Sequence, residues 1–202
     1  MAKLLLATTN RGKIREICHL LYGMPFEVVT PIDLGIDVSV EEDKQSYQEN
    51  AQLKAEAYSK ASGLITLADD SGLEVDALNR EPGIRSARYA GENASDENRI
   101  EYLLTRLREV PEGKRAARFV CVIAIAVPGE KTLFCRGECH GVISFKPKGR
   151  NGFGYDPVFY FPEMDRTMAE LTLEQKSQVS HRGKAVQEAR HLLQELAEKV
   201  KT

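Results

Sequence analysis

The chain has 202 residues, of which 42% are hydrophobic and 29% charged, an ordinary globular composition that argues against a disordered protein. Lys and Arg total 28 against 30 Asp and Glu, and this net charge of −2 argues against nucleic acid as a partner. No run of about 18 apolar residues is present, so we expect no transmembrane helix and no membrane partner.

The first predicted element is a strand, followed by a polar turn and a helix. Residues 4–7 form a short apolar run that is typical of a buried strand. After the polar residues 8–12, apolar side chains recur with the spacing of one helix face: Ile14, Ile17, Cys18 and Leu21. The apolar core of this N-terminus is too short for a secretory signal, so we expect a cytoplasmic protein with reduced cysteines.

A second strand and a second helix follow. Residues 26–30 predict a short strand, and residues 33–43 form an acidic loop. Ser46 and Glu49 have the spacing of a capping box, so a helix is predicted to begin there. Gly63 is expected to end that helix, because glycine readily adopts the left-handed conformation of a helix C-terminus.

The next segment predicts a strand that ends in acidic residues. Residues 64–68 are apolar and are expected to place Asp69-Asp70-Ser71-Gly72 at the strand's end, with residues 73–77 pairing nearby. Ser95 or Asp96 is then expected to cap a helix. Its apolar face would comprise Ile100, Leu103, Leu104, Leu107 and Val110.

The C-terminal half predicts a hairpin and a last helix. Residues 118–127 and 132–139 are strand-like and are separated by a turn at residues 128–131, and residues 142–145 extend the same sheet. The last helix carries an apolar face made of Ala185, Ala189, Leu192, Leu193 and Leu196. Strands and helices intermix, so we expect a mixed-sheet α/β fold. Since no repeat or linker is present, we expect a single domain over residues 1–202.

Residues 8–13 lie where a helix N-terminus would offer unpaired N–H donors and a positive dipole end to a phosphate. Lys13 would add a cation, and Thr8, Thr9 and Asn10 would add short polar side chains. The alternative is that Asn10 only caps the helix. The P-loop pattern is absent.

Two acidic clusters are candidate magnesium ligands, because Mg²⁺ prefers hard oxygen ligands. Asp69 and Asp70 follow a buried strand, but successive strand side chains point to opposite faces, so only one of them can face a site directly. The alternative is a simple turn before Gly72. The second cluster, residues 41–43, becomes interesting only if the fold brings it beside Asp70, because charge runs are usually solvated loops.

Two further segments suit a nucleotide. Residues 151–157 place glycines around aromatic residues, so that Phe153 or Tyr155 could stack on a base; the alternative is an aromatic turn that fills the core. Residues 180–183 place His181 and Arg182 in the first turn of the last helix, where positive charge is disfavoured by the helix dipole. An anionic or carbonyl partner would explain these cations; the alternative is an exposed basic turn.

Two other chemistries are unsupported. Cys135 and Cys139 would lie about 13 Å apart on one strand, too far to share a zinc ion. A serine hydrolase is unsupported because the GxSxG turn is absent.

Taken together and in this order, these segments resemble the inosine/xanthosine triphosphate pyrophosphatase family. The resemblance runs from Leu4 to the last helix and includes residues 82–89. It implies an elongated mixed-sheet α/β fold with a central nucleotide-binding cleft, and a homodimer. It also implies Mg²⁺-dependent hydrolysis of ITP, dITP and XTP to the monophosphate and pyrophosphate. The alternatives are a related pyrimidine or modified-nucleotide pyrophosphatase and a non-catalytic nucleotide-sensing module.

The resemblance also implies roles for individual residues. Asp70 would be the catalytic proton acceptor, and Glu41 with Asp70 would hold Mg²⁺, although Glu42 stays open as the alternative to Glu41. The substrate would be bound by Thr8, Thr9, Asn10, Arg11, Gly12, Lys13, Ser71, Phe153, Gly154, Tyr155, Asp156, Lys176, His181 and Arg182. Arg182 would favour the six-position carbonyl of hypoxanthine and xanthine over the amino group of adenine.

Overall fold

The computed structural model describes residues 1–41 and 43–199. The strands are β1 (Ala2–Leu6), β2 (Phe26–Val29), β3 (Ile65–Val75), β4 (Ala116–Ala126), β5 (Leu133–Ile143), β6 (Phe159–Phe161) and β7 (Arg166–Thr167). The α-helices are α1 (Arg11–Leu20), α2 (Tyr47–Ser62), α3 (Asp96–Arg106), α4 (Leu173–Val179) and α5 (His181–Lys199). Short 3₁₀ helices span Asp76–Leu78, Gly83–Arg88, Glu112–Lys114, Pro162–Met164 and Met168–Glu170.

The strands form one mixed sheet, as the sequence predicts. Their order is β2-β1-β3-β4-β5-β6-β7. β1 is parallel to both of its neighbours, with Leu4 opposite Val28 of β2 and Ile65 of β3. β6 is antiparallel to β5 and to β7. The α/β fold class is therefore confirmed, and none of the described helices is long and apolar enough to cross a membrane.

The local signals of helix ends and turns are confirmed. The Ser46 hydroxyl caps α2 by accepting the Glu49 N–H, and Gly63 ends the helix at a φ of 70°. Ser95 caps α3 by accepting the Asn98 N–H. β4 and β5 are neighbours joined by the predicted turn.

The prediction that Asp69 and Asp70 end a strand is wrong, because β3 continues through them to Val75. The acidic pair can lie inside a strand because both side chains have polar partners there: Lys13 contacts Asp69, and Asn50 contacts Asp70. Further along the strand, the Leu73 N–H donates to the Ser86 hydroxyl at 2.8 Å. The polar residues 69–72, which have the composition of a turn, therefore belong to the regular strand β3.

The chain divides into two compact units, each with its own core. The described residues of Met1–Asp70, Cys121–Gly137 and Arg182–Thr202 form unit 1, and Ser71–Val120 with Glu138–His181 form unit 2. In unit 1 the apolar face of α5 packs with β1 and α1 residues; the cluster includes Leu4, Leu6, Ile17, Ala185, Ala189, Leu193 and Leu196. The core of unit 2 includes Leu73, Leu103, Phe119, Val158, Phe159 and Met168. The expectation of one domain stays a prediction.

The four cysteines are free thiols, and Cys135 and Cys139 lie four residues apart on β5, as expected. Burial raises the pKa of Cys121 and of Cys135 to about 12, so these thiols are protonated at neutral pH.

Candidate active site

In unit 1, the first turn of α1 has the properties of an anion site. Asn10 caps the helix, and its side chain accepts the Lys13 N–H at 3.0 Å. The Asn10 N–H in turn donates to the Thr8 hydroxyl at 3.2 Å. The first turn contains no acidic residue, so the positive end of the helix dipole is not neutralised there. Thr9 and Arg11 are exposed beside this turn, and Gly12 is half-buried.

Lys13 connects this helix to β3. Its ammonium nitrogen lies 3.1 Å from the Asp69 carboxylate and donates to the Asp69 backbone carbonyl at 3.4 Å. Since Asp70 is the next residue of β3, the predicted phosphate-binding turn and the predicted metal ligand lie close together within unit 1.

Arg182 joins the same group of charges from the start of α5. Its guanidinium donates to the Asp69 carboxylate at 3.2 and 3.4 Å and to the Glu16 carboxylate at 2.6 Å. Arg182 is 1% exposed. We refer to Lys13, Glu16, Asp69 and Arg182 as the ion-pair cluster. The predicted position of Arg182 in the first turn of the last helix is confirmed, while its contact with the purine base stays a prediction.

The charges of the cluster keep Asp69 ionised although it is fully buried. Burial acts to raise the pKa of Asp69, but the positive charges of Lys13, Arg182 and Lys54 outweigh it and hold that pKa well below its usual range. Burial likewise acts to lower the pKa of Arg182, and Asp69 and Glu16 reverse that effect, so the guanidinium stays charged.

Asp70 has a different environment, as expected for the neighbouring residue of a strand. Its carboxylate accepts a hydrogen bond at 3.1 Å from the side-chain amide of Asn50, on α2. The carbonyl oxygen of the same Asn50 side chain accepts the Lys44 N–H at 3.0 Å. Asn50, which is 1% exposed, therefore links the end of the acidic loop to Asp70.

Asn50 thus connects Lys44, the residue after the acidic loop, with Asp70. Glu41 is exposed and, among the described residues, makes no hydrogen bond or ion pair. Glu42, the alternative ligand, lies outside the described residues. The Tyr58 hydroxyl holds the loop by donating to the Val38 carbonyl at 3.0 Å. The metal-ligand role of Glu41 stays a prediction.

In unit 2, a tight turn organises the predicted base-binding segment around Asp156. The Asp156 carboxylate accepts the Phe153 N–H at 2.9 Å and forms an ion pair with Lys176 of α4. Gly152 has a φ of +73°, and a Cβ atom there would lie 2.0 Å from the Asp156 carboxylate. Glycine is therefore required at this position by both the backbone angle and the close approach.

Two more contacts fix the same turn. The Gly154 N–H donates to the Asp96 carboxylate at 2.6 Å, and the Tyr155 hydroxyl donates to the Ser86 carbonyl at 2.9 Å. Tyr155 and Asp156 are buried, and burial raises the pKa of Tyr155. The ammonium of Lys176 lies 5.2 Å from the centre of the Phe153 ring. The backbone of the turn is therefore held at several points, and the Phe153 ring has a cation beside it.

A cavity of about 720 Å³ lies between this turn and α3, within unit 2. Phe153 and Gly154 line it, and its charged lining is mixed: Asp96, Glu97, Glu101, Arg108 and Arg150. The cavity leaves open space beside the Phe153 ring. The phosphate-binding role of the first turn of α1 stays a prediction.

The remaining predicted residues of unit 2 lie in a packed environment. His181 is 4% exposed, and its ring stacks on that of Phe119 with centroids 4.7 Å apart. Ser71 is half-buried on β3.

Four residues of these sites were not predicted to be functional: Glu16, Asn50, Lys54 and Asp96. Glu16 and Lys54 are charged residues on helices, and charged side chains of helices usually face solvent. Asn50 carries no motif of its own, and Asp96 was predicted only as a possible helix cap, a position that Ser95 takes. Each becomes visible only through a partner that is distant in the chain.

The sequence and the fold are similar to those of known proteins. The sequence model of the Ham1 family matches residues 4–192. A "dITP/XTP pyrophosphatase" of Geobacter sulfurreducens is 50% identical over 92% of this chain and 94% of its own. The structure of the Staphylococcus aureus Ham1 protein superposes with a TM-score of 0.84 at 46% identity, over 95% of this chain and 97% of that one. A HAM1 protein from Coxiella burnetii gives a TM-score of 0.87 at 40% identity, over 96% and 100% of the two chains.

Proposed function

The chain belongs to the Ham1 family, and from this premise we propose that it hydrolyses dITP, XTP and ITP to the nucleoside monophosphate and pyrophosphate. The sequence resemblance to the inosine/xanthosine triphosphate pyrophosphatase family leads to the same activity. The bond between the α- and β-phosphates breaks, water supplies the oxygen, and the proton lost by the water passes to a carboxylate of the protein.

The observation that carries the proposal is the 3.1 Å contact between Lys13 and Asp69. It joins a helix N-terminus that suits phosphate to the strand that carries Asp70. In unit 1, the triphosphate would be held by the first turn of α1 with Thr8, Thr9, Asn10, Arg11, Gly12 and Lys13. Fixed positive charge at this place offsets the negative charge that repels an attacking water.

The donor chemistry around Asp70 fits Mg²⁺. Among residues 1–41 and 43–199, no group of three or more His, Cys, Asp or Glu side chains could hold a metal. Mg²⁺ commonly takes one or two carboxylates and completes its shell with phosphate oxygens and water. Asp70 and Glu41 would supply those carboxylates, and Asn50 fixes the orientation of Asp70. Bound Mg²⁺ lowers the pKa of water and stabilises negative charge on phosphate oxygens.

Asp70 is the proton acceptor in this proposal. Its backbone position on β3 is rigid, and its carboxylate is oriented by the Asn50 amide. Asp69 is committed to the ion-pair cluster, and its carboxylate is too strongly stabilised in the ionised form to act as an effective base. Ser71, next along the strand, would contact the substrate.

The base would be held in unit 2 by the turn at residues 153–156. Phe153 supplies the stacking surface, and Gly154 allows the backbone to approach the ligand. Tyr155, Asp156 and Lys176 are buried and would act by holding the turn. Asp156 pairs with Lys176, and the Tyr155 hydroxyl donates to the Ser86 carbonyl. His181 completes this part of the site.

The preference for hypoxanthine and xanthine over adenine is proposed to rest on the carbonyl at the six-position of the purine. Arg182 would donate a hydrogen bond to that carbonyl. The variant Arg182→Ala separates this role from that of an ion-pair residue. If Arg182 reads the base, the ratio of ITP to ATP turnover narrows by roughly tenfold to a hundredfold. If it serves only the ion-pair cluster, turnover of both nucleotides falls alike.

The direct experiment is incubation of the purified protein with Mg²⁺ and each of ITP, XTP, dITP, ATP, GTP, dTTP and UTP. We expect pyrophosphate and the monophosphate from ITP, XTP and dITP. Release of orthophosphate with a diphosphate would contradict the proposed bond cleavage. Equal rates on ITP and ATP would contradict the selectivity, and preferred turnover of dTTP or UTP would favour a pyrimidine enzyme.

We also propose a homodimer acting on the cytoplasmic nucleotide pool, as the family resemblance implies. Light scattering of the purified protein is expected to give twice the mass of one chain. A mass equal to that of one chain would contradict the dimer.

A further inference from the structure

A second cavity in unit 2 has a strongly cationic lining that the proposed reaction does not use. Its volume is about 560 Å³, within the range of small-molecule sites. Four of its lining residues are arginines: Arg80, Arg85, Arg88 and Arg106. We refer to this cavity as the arginine pocket. None of the predicted substrate or metal residues lines it.

The acid in this lining is already engaged. The Glu81 carboxylate pairs with Arg106 at 3.1 Å and accepts the Tyr89 hydroxyl at 3.0 Å. The guanidinium groups of Arg80 and Arg85, in contrast, make no hydrogen bond or ion pair with any residue that the structure describes.

Arg80 and Arg85 are exposed, so both guanidiniums are accessible to an anion from solution. Neighbouring guanidiniums repel each other, and a bound anion removes that repulsion. Arginine is well suited to phosphate because its planar fork donates two parallel hydrogen bonds. The backbone at Asn79 and Arg80 has φ values of 53° and 69°, a left-handed conformation that is unfavourable for two successive non-glycine residues. Strain of this kind concentrates at ligand-binding sites.

We propose that the arginine pocket binds a small anion with two linked phosphates, either free pyrophosphate or the diphosphate of a nucleotide. Arg80 and Arg85 supply two guanidiniums, one for each phosphate group. Tyr102, 41% exposed at the same cavity, offers an aromatic surface to the base of a nucleotide. The proposal does not depend on the proposed hydrolysis, since the two sets of residues are separate.

The test is calorimetric titration of the full-length protein, at low salt and without divalent metal, with pyrophosphate and separately with ADP. The variant carries Arg80→Ala and Arg85→Ala. A matched control carries Lys60→Ala and Lys131→Ala, which removes two exposed positive charges elsewhere. We expect the arginine variant to lose one equivalent of bound anion per chain, or to bind at least about tenfold more weakly, and the control to bind like the wild type.

Each outcome bears on the proposal. Weakened binding of both anions assigns the pocket to the linked phosphates, and weakened binding of ADP alone assigns it to a nucleotide diphosphate. No anion binding by the wild type, or equal binding by the wild type and the arginine variant, would overturn the proposal. A change in mass by light scattering with unchanged anion binding would also overturn it, because the pocket would then contact a second copy. ITP turnover of the variant is expected to equal that of the wild type.

Discussion

At the scale of single residues, two adjacent aspartates of one strand serve different purposes. Asp69 is fully buried among Lys13, Glu16 and Arg182, whereas Asp70 receives the amide of Asn50. Strand geometry separates them, because consecutive side chains point to opposite faces. The sequence predicts that only one aspartate faces the site, and the site geometry favours Asp70 for that role.

The Asp70→Asn variant is expected to lower ITP turnover by about a hundredfold or more, because asparagine cannot accept the proton from water. Nucleotide binding is expected to persist, since the first turn of α1 is unchanged. Pyrophosphate release and equilibrium binding of ITP measure the two effects. Asp76→Asn, an exposed change just after the same strand, is the control. Near-normal turnover of Asp70→Asn would remove Asp70 from its role.

The Asn50→Ala variant is expected to raise the Mg²⁺ concentration required for half-maximal ITP turnover by about tenfold to a hundredfold. The reason is that Asn50 orients Asp70 and also holds Lys44 at the end of the acidic loop. Asn98→Ala, an exposed change on α3, serves as the control. A normal Mg²⁺ requirement with reduced stability would assign Asn50 a purely structural role.

Asp69 is expected to make the free energy of unfolding decrease as the pH falls below about 4. Its pKa is lower in the folded chain than in the unfolded chain, so its contribution is complete above the unfolded value of about 3.9. That contribution is lost as the pH falls further. In the Asp69→Asn variant, the decrease in the free energy of unfolding between pH 5 and pH 3 should therefore be smaller than in the wild type. Urea unfolding measures it, with exposed Asp37→Asn as the control. Equal decreases in Asp69→Asn and the wild type would contradict the prediction.

At the scale of elements, the turn at residues 151–157 depends on one glycine. Gly152→Ala is expected to raise the KM for ITP and to destabilise the fold, because the new Cβ would collide with Asp156. Gly23→Ala isolates the cost of the backbone angle, since Gly23 has a φ of +79° and an open surrounding. Thermal unfolding should show a larger loss for Gly152→Ala, and equal losses would contradict the collision.

Elements defined by neighbouring residues could be predicted, whereas those defined by distant partners could not. Ser46, Ser95 and Gly63 mark helix ends because a cap involves residues only a few positions apart. β6 and β7 were not predicted, because strands of three and two residues carry almost no periodic signal. The strand break predicted after Ala68 was wrong for a related reason, since the partners that allow Asp69 inside β3 come from α1 and α5.

The same distinction applies to the candidate site. Its motifs lie on the predicted elements, and the family that they resemble is confirmed by the match to residues 4–192. The contacts of Arg182 with Asp69 and Glu16 span 113 and 166 positions of the chain, and no local pattern encodes them.

At the scale of the whole molecule, removal of divalent metal is expected to stop ITP hydrolysis without changing Tm. The described part of the chain has no group of three or more His, Cys, Asp or Glu side chains that could hold a metal, so we expect EDTA to leave the fold intact. Thermal unfolding with and without EDTA measures this, and restoring Mg²⁺ should restore turnover. A lower Tm in EDTA would instead indicate a structural metal.

Arg182 is far along the chain from the two carboxylates that it contacts, which affects the folding of an incomplete chain. Glu16 and Asp69 emerge early, while their shared guanidinium arrives only with the last helix. A chain that lacks Arg182 would have to bury the Glu16 carboxylate without this guanidinium, and Asp69 would keep only its lysine partners. Unit 1 of a chain truncated before Arg182 is therefore expected to pack less tightly than in the full-length chain and to be cleaved faster by proteases.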